Sequence, residues 1–309
     1  MLAAVWRRRR WADVVYLTIS QSWAGNLKDL CIYLLCFGRL SRVFVHLHGG
    51  AIGKTLFRHG SIARRLNALF LRRVGGVIIL GPAHLGVFAG MVEPERLHIV
   101  PNGAEDYLFV NEHDIVRKFA DTETLRVLYL SGMTRQKGYL DLLNGWLSLG
   151  PEVRRRVQLD FAGRFDSDSE QAAFLHRIAQ AEGARYHGTV EGTAKKALLA
   201  QAHILCLPTR MSEGQPICIL EAYASGCVVV TTGQPGIRDI FTDRVNGLQL
   251  EQESTTSIAA VLSEAAEASP HLREMALANR RTAGRCYRAD TSAGALARIL
   301  EQGDHDGSR

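Results

Sequence analysis

Ten short apolar runs, separated by stretches of helical spacing, constrain this chain more than any other feature. Strands that are apolar along their whole length are buried on both faces, and parallel sheets sandwiched between helices provide that burial. The runs fall in two series. The first is 14–18, 43–48, 77–80 and 97–100; the second is 125–130, 157–162, 184–187, 204–207, 228–231 and 247–250. Helical patterns are read at 2–10, 137–149, 169–182, 194–201 and 254–266, and a long helical tail over 270–300. The polar, acidic stretch around 112–124 separates the two series. The chain therefore divides into a first α/β domain (1–112), a linker (113–124), a second α/β domain (125–268) and a helical tail (269–309). A length of 309 residues, 47% hydrophobic, suffices for two such cores.

Glycines, histidines and charged residues gather just after the strands: His48-Gly-Gly50, Pro101-Asn-Gly103, Gly132 to Gly138, Gly163-Arg164, His187-Gly188 and Pro208 to Gln215. In open parallel sheets, ligands bind beyond the carboxyl ends of the strands. Two such sheets facing each other would enclose a small-molecule cleft.

Charge is uneven. Residues 1–112 hold 14 lysines and arginines against 7 acids, while the remainder holds 23 against 24. The surplus suits an anionic surface, and no nucleic-acid partner is expected. The segment 55–74 carries Arg58, Arg64, Arg65, Arg72 and Arg73 among leucines and phenylalanines. It reads equally as a membrane-surface helix or as an ordinary sheet-packed helix with solvated arginines. Arg7 to Arg10 lie between Trp6 and Trp11, and tryptophan favours the membrane interface. The longest early apolar run, 30–37, is far short of the roughly 20 residues that span a bilayer. Six cysteines show no C-x-x-C pair and read as reduced thiols of a cytoplasmic protein.

One stretch carries the chemistry: Glu213-Gly-Gln-Pro-Ile-Cys-Ile-Leu-Glu221. Pro216 and Gly226 punctuate a helix, with proline at its start and glycine just past its end. Glu213 then belongs to the preceding loop, and Glu221 lies about two turns inside. The helix N-terminus, with the amides of Gly214, Gln215 and Ile217, is suited to an anion.

This stretch resembles the E-x7-E motif of retaining GT-B glycosyltransferases of family 4. Ser212-Glu-Gly, Leu220 to Gly226, Val228 to Thr232, Gly236, Asn246-Gly-Leu248, His46 to Gly50, Val100 to Gly103 and Lys137-Gly138 follow the family's order, so the similarity covers about residues 12–250. It implies two facing Rossmann-like domains with an inter-domain cleft, the first lacking the family's opening strand and Gly-rich turn. It further implies a nucleotide-sugar donor linked to UDP or GDP, transfer to a glycan or lipid-linked acceptor, and no metal or other cofactor. Carried over residue by residue, Glu221 takes the ribose and Glu213 the donor sugar. His48 faces that sugar from the first domain, and Lys137 takes the phosphates. The family often has an arginine where this chain has Gly132; Arg135 is the candidate substitute, and otherwise an exposed loop charge. Arg164 is a weaker candidate for the same cleft. His187 and Gly188 fall where the base is seated, and read equally as a strand-end turn. His46 and His48 share one strand face, but no third metal ligand is evident. The expected place is the cytoplasm, with a peripheral seat on the inner membrane face. Two rivals stand beside this reading. A dinucleotide oxidoreductase lacks support because no G-x-G-x-x-G follows a first strand. The other is a non-catalytic nucleotide-sugar-binding or scaffold protein.

Overall fold

The computed structural model describes residues 1–251 and 254–305. The first unit runs α1 (Leu2–Arg8), β1 (Val15–Thr18), α2 (Trp23–Leu35), β2 (Val43–Leu47), α3 (Ile52–Thr55), α4 (Ile62–Leu71), β3 (Gly76–Ile79), α5 (Leu85–Phe88) and β4 (Leu97–Ile99). The second opens with α6 (Glu112–Lys118) and β5 (Leu125–Leu130). It continues through α7 (Tyr139–Leu147), α8 (Pro151–Arg156), β6 (Val157–Ala162), α9 (Asp168–Ala179), β7 (Ala184–Tyr186), α10 (Gly192–Gln201) and β8 (Ile204–Leu207). Then come α11 (Ile217–Ala224), β9 (Val228–Thr232), α12 (Pro235–Arg238), β10 (Gly247–Leu250) and α13 (Thr255–Glu267). Two helices follow, α14 (Ser269–Cys286) and α15 (Ala289–His305). All ten expected strands are present, with ends shifted by a residue at most.

Both sheets are parallel. In the first, the order β1-β2-β3-β4 advances in one direction. Right-handed crossovers then place α2, α4 and α5 on a single face. Val43, Val45 and Leu47 of β2 turn to that face and join a core with Ile32, Tyr33, Phe70 and Phe88. Alternation sends Phe44 to the opposite face, where it packs with Ile78, Val100, Leu296 and Ile299. That second face is covered by α15. The helical tail expected over 270–300 is two helices. The helix breaks at Tyr287, where Ala104 and Arg288 form a β-bridge, and α15 returns to the first domain. Apolar surface on both sides of a buried sheet requires such a cover. Residues 306–309 of the expected tail lie outside the described residues.

The second sheet has order β10-β9-β8-β5-β6-β7, so its direction reverses between β5 and β8. This is the doubly wound arrangement, and the switch point is its natural crevice. The expected linker is also corrected. Ala104, Leu108, Ile115 and Phe119 already belong to the second core, and α6 is fastened there by Lys118. The Lys118 ammonium donates to the carbonyl oxygens of Ala202 and Ser225, which close α10 and α11. Helix C-termini present unsatisfied carbonyls and negative potential, so a buried lysine is well matched there. The segment just after β4, rather than 113–124, therefore joins the two cores.

Candidate functional site

The loops after β5 and β8 meet at the switch point. Gly138 makes this approach possible: its φ is +81°, and a side-chain carbon there would sit 2.3 Å from the Pro208 carbonyl oxygen. Lys137 is thereby brought to Glu213, with its ammonium 3.7 Å from Oε1. Thr209, fully buried at the end of β8, donates to the same oxygen at 2.9 Å. No motif marked Thr209; its role appears only once the loop has folded back on the strand.

Helix α11 starts at Ile217 with Pro216 in the capping position, and Gly226 follows at φ +62°. Glu221 therefore lies little more than one turn inside, nearer the N-terminus than expected. It is 6% exposed. Its Oε1 accepts a 2.6 Å hydrogen bond from Lys195 of α10, another residue without a motif. Between the two acids sits Cys218. Burial pushes its thiol up to about 12, Lys137 opposes that, and Glu221 and Glu213 add to it. Lys137 and Glu213 thus meet just before the start of α11.

The first domain closes over this point. A side chain at Gly50 would meet the Glu213 carbonyl oxygen at 2.2 Å, and one at Gly214 would meet the His48 carbonyl oxygen at 2.1 Å. Ser212 donates to the Gly50 carbonyl, and Gln215 accepts from the Asn102 amide at 2.6 Å. Asp239 accepts from the Ala83 amide with both carboxylate oxygens at 3.1 Å. A hollow of about 660 Å³ around Lys118 and His203 lies at the opposite, amino end of β8.

His48 follows β2 and faces this closure. Its ring lies tilted by 33° against that of His46, with 3.9 Å between centroids. Tyr16 of β1 bridges them, its hydroxyl 2.6 Å from His46 Nδ1 and 3.5 Å from His48 Nε2. Burial lowers the His48 pKa, and burial with its histidine neighbour takes His46 to about 3. Both rings are neutral near pH 7. Tyr16 joins them through strand register, which the sequence does not display.

The remaining expected residues separate. His187 Nε2 lies 2.6 Å from Asp160, beside Gly188 at φ +70°. Arg135 does not reach the acids: its guanidinium is 70% exposed and pairs with Glu170 of α9 at 3.0 Å. Arg164 is exposed and makes no side-chain ion pair among the described residues. Ile217 is half exposed at the start of α11. On the first domain, Arg64 is not a solvated charge. It donates to the carbonyls of Phe57, Val87 and Ala89. Arg65 is exposed beside Ile62, Leu66 and Leu69, which are also exposed.

Two facing parallel-sheet domains, with paired acids after the switch-point strand, define the GT-B class. Residues 124–267 match the family described as Glycosyl transferases group 1. Among curated relatives, the chain is 23% identical to MMP alpha-(1->4)-mannosyltransferase of Mycolicibacterium hassiacum, over 68% of this chain and 49% of that one. It is 26% identical to D-inositol 3-phosphate glycosyltransferase of Xylanimonas cellulosilytica, over 67% and 52%. The chain thus spans about half the length of the curated relatives it matches. Among solved structures, Anabaena HepE in complex with UDP-glucose superposes with a TM-score of 0.76 at 18% identity, over 97% of this chain and 82% of that one. WaaG, a glycosyltransferase involved in lipopolysaccharide biosynthesis, gives 0.65 at 18%, over 96% and 95%.

Proposed function

We propose that the protein is a retaining glycosyltransferase. It moves a sugar from a UDP- or GDP-linked donor to a hydroxyl of a glycan or lipid-linked acceptor, in cell-surface polysaccharide assembly. The observation that carries this is the Lys137–Glu213 ion pair at the start of α11, which also holds the buried Glu221, under the first domain's His48–Gly50 loop. The nucleotide-sugar complexes of the Anabaena neighbour support the donor class.

In this reading Glu221 accepts the ribose hydroxyls, through charge-assisted bonds of about 1.5–3 kcal/mol each. The bond between the sugar's anomeric carbon and the diphosphate oxygen breaks. A bond from the acceptor oxygen forms on the same face, and the acceptor proton passes to the departing diphosphate. Lys137 and the amides at the start of α11 balance the charge that develops there. Glu213 and neutral His48 orient the sugar. No metal or other cofactor takes part. The His187–Gly188 turn seats the base.

The basic first domain supports a peripheral seat on an anionic membrane face. It exposes Trp6, Trp11 and Trp23 together with Ile62, Leu66 and Leu69. No described helix is long and apolar enough to cross a membrane. Neutralising Arg7, Arg8, Arg10 and Arg65 is expected to abolish flotation with phosphatidylserine vesicles at low salt, since each basic group contributes about 1 kcal/mol. Absence of binding by the parent ends that part of the reading.

The activity is tested by titration with UDP, GDP and NAD, followed by release or transfer of labelled sugar. Binding of UDP or GDP with sugar transfer is expected. Nucleotide binding without any sugar release favours the scaffold alternative, and NAD binding alone overturns the reading.

A further inference from the structure

Glu221 does not act as an isolated carboxylate. Lys195 reaches it across the groove between α10 and α11, with Nζ 2.6 Å from Oε1. The two side chains are 17% and 8% exposed. A charge that far from water needs a close opposite partner. Burial pulls the Lys195 ammonium down, but the hydrogen bond and charge of Glu221 outweigh it, aided by Tyr107 and Glu105, so the net shift is upward. Both of those residues come from the segment that links the domains, and its turn at Asp106–Leu108 packs on α10.

The contact is one-sided. Lys195 occupies Oε1, while Oε2 has no hydrogen-bond partner among the described residues and is not sealed from solvent. A vicinal diol presents two donors to one carboxylate. An acid fixed at one oxygen offers the other in a set direction and loses less freedom on binding.

We propose that Lys195 is a positioning residue of the nucleoside site, holding Glu221 by one oxygen so that the other is presented to the ribose hydroxyls. This rests on the reading of Glu221 as the ribose acid. Lys195 acts on the sugar of the nucleotide, so its loss costs ribose recognition and spares the diphosphate.

The experiment compares calorimetric affinities of the full chain for UDP and 2′,3′-dideoxy-UDP, with the guanosine pair used in the same way. The parent is expected to prefer the ribose form by about tenfold or more. Lys195→Met is expected to reduce that preference to under about threefold while the dideoxy ligand binds within about twofold of the parent. Lys195→Arg, which keeps the charge and a donor, is expected to restore most of the preference. A merely structural lysine would weaken both ligands alike, and that result overturns the proposal. If Lys195→Met does not fold, Lys195→Gln decides, and a retained preference overturns it. Glu221→Gln separates the two levels. Preference lost in Glu221→Gln but kept in Lys195→Met removes Lys195 alone, whereas a parent with no preference removes the ribose reading as well.

Discussion

The two domains use the same strand-and-helix unit and solve the problem of covering a sheet differently. The second reverses direction between β5 and β8, so its own crossovers shield both faces and create a crevice. The first advances in one direction only and takes the cover for its second face from α15, at the far end of the chain. The second domain therefore carries the paired acids and their lysines by itself. The first contributes a loop that closes on them, and its surface is more basic and more apolar. Grip and closure are thus divided between a self-sufficient domain and a dependent one.

The sharpest way to break this comparison is to remove α15 by ending the chain at Tyr287. Phe44, Ile78 and Val100 would then face water. The expected outcome is loss of amide protection throughout the first sheet, with protection of β5 to β10 retained. Equal loss in both domains would show that they fold as one unit.

A more local test concerns the fastening of each domain. Lys118→Met takes the donor from the Ser225 carbonyl and leaves the Ala202 carbonyl with only the Cys227 thiol, and it is expected to lower stability by about 1–3 kcal/mol in denaturant melts. Arg117→Met, one residue away, removes only an exposed pair with Asp114 and is expected to cost under about 0.5 kcal/mol. Similar effects would deny Lys118 its place between two helix ends.

Division of grip from closure is sharpened by a pair of variants. Glu221→Ala is expected to weaken nucleoside diphosphate binding by at least about tenfold. His48→Ala is expected to leave that affinity within about twofold while sugar transfer falls by about a hundredfold. Unchanged nucleotide affinity in Glu221→Ala removes the ribose role.

The smallest expected effect is a difference in acid sensitivity. His46, His48, His84 and His98 of the first domain are all lowered by burial, His46 to about 3. In the second, burial takes His203 to about 4. Folding keeps such rings neutral while the unfolded chain takes up protons below its ordinary value of about 6.5. They therefore contribute nothing above that pH, and stability falls as pH drops from there toward the folded values. Hydrogen exchange between pH 6.5 and 4.5 is expected to show the first domain opening before the second. The reverse order would mean that carboxylate pairs dominate.

Much of this architecture was legible in the sequence. Short apolar runs placed all ten strands; the signal is plainest in β2, β3, β8 and β9, which are buried at every position. The resemblance of the E-x7-E stretch named Glu213 and Glu221 as candidates, and proline and glycine marked the ends of the helix that holds Glu221. The break at Tyr287 was not legible, because α14 and α15 have continuous helical composition and only the bridge to Ala104 divides them. Arg64 and Arg135 were equally opaque. A charge reads the same whether it ends on carbonyls, as Arg64 does, or on a neighbouring helix, as Arg135 does.

The sequence by itself determined the strands and the parallel class, and it placed the two acids eight positions apart on either side of a helix start, all features encoded along the chain. Tertiary structure alone decided that Lys137 serves Glu213, Lys195 serves Glu221 and Tyr16 bridges two histidines. Those pairings join residues 26 to 76 positions apart. They arise from strand register, crossover handedness and close backbone approach, none of which leaves a periodic trace.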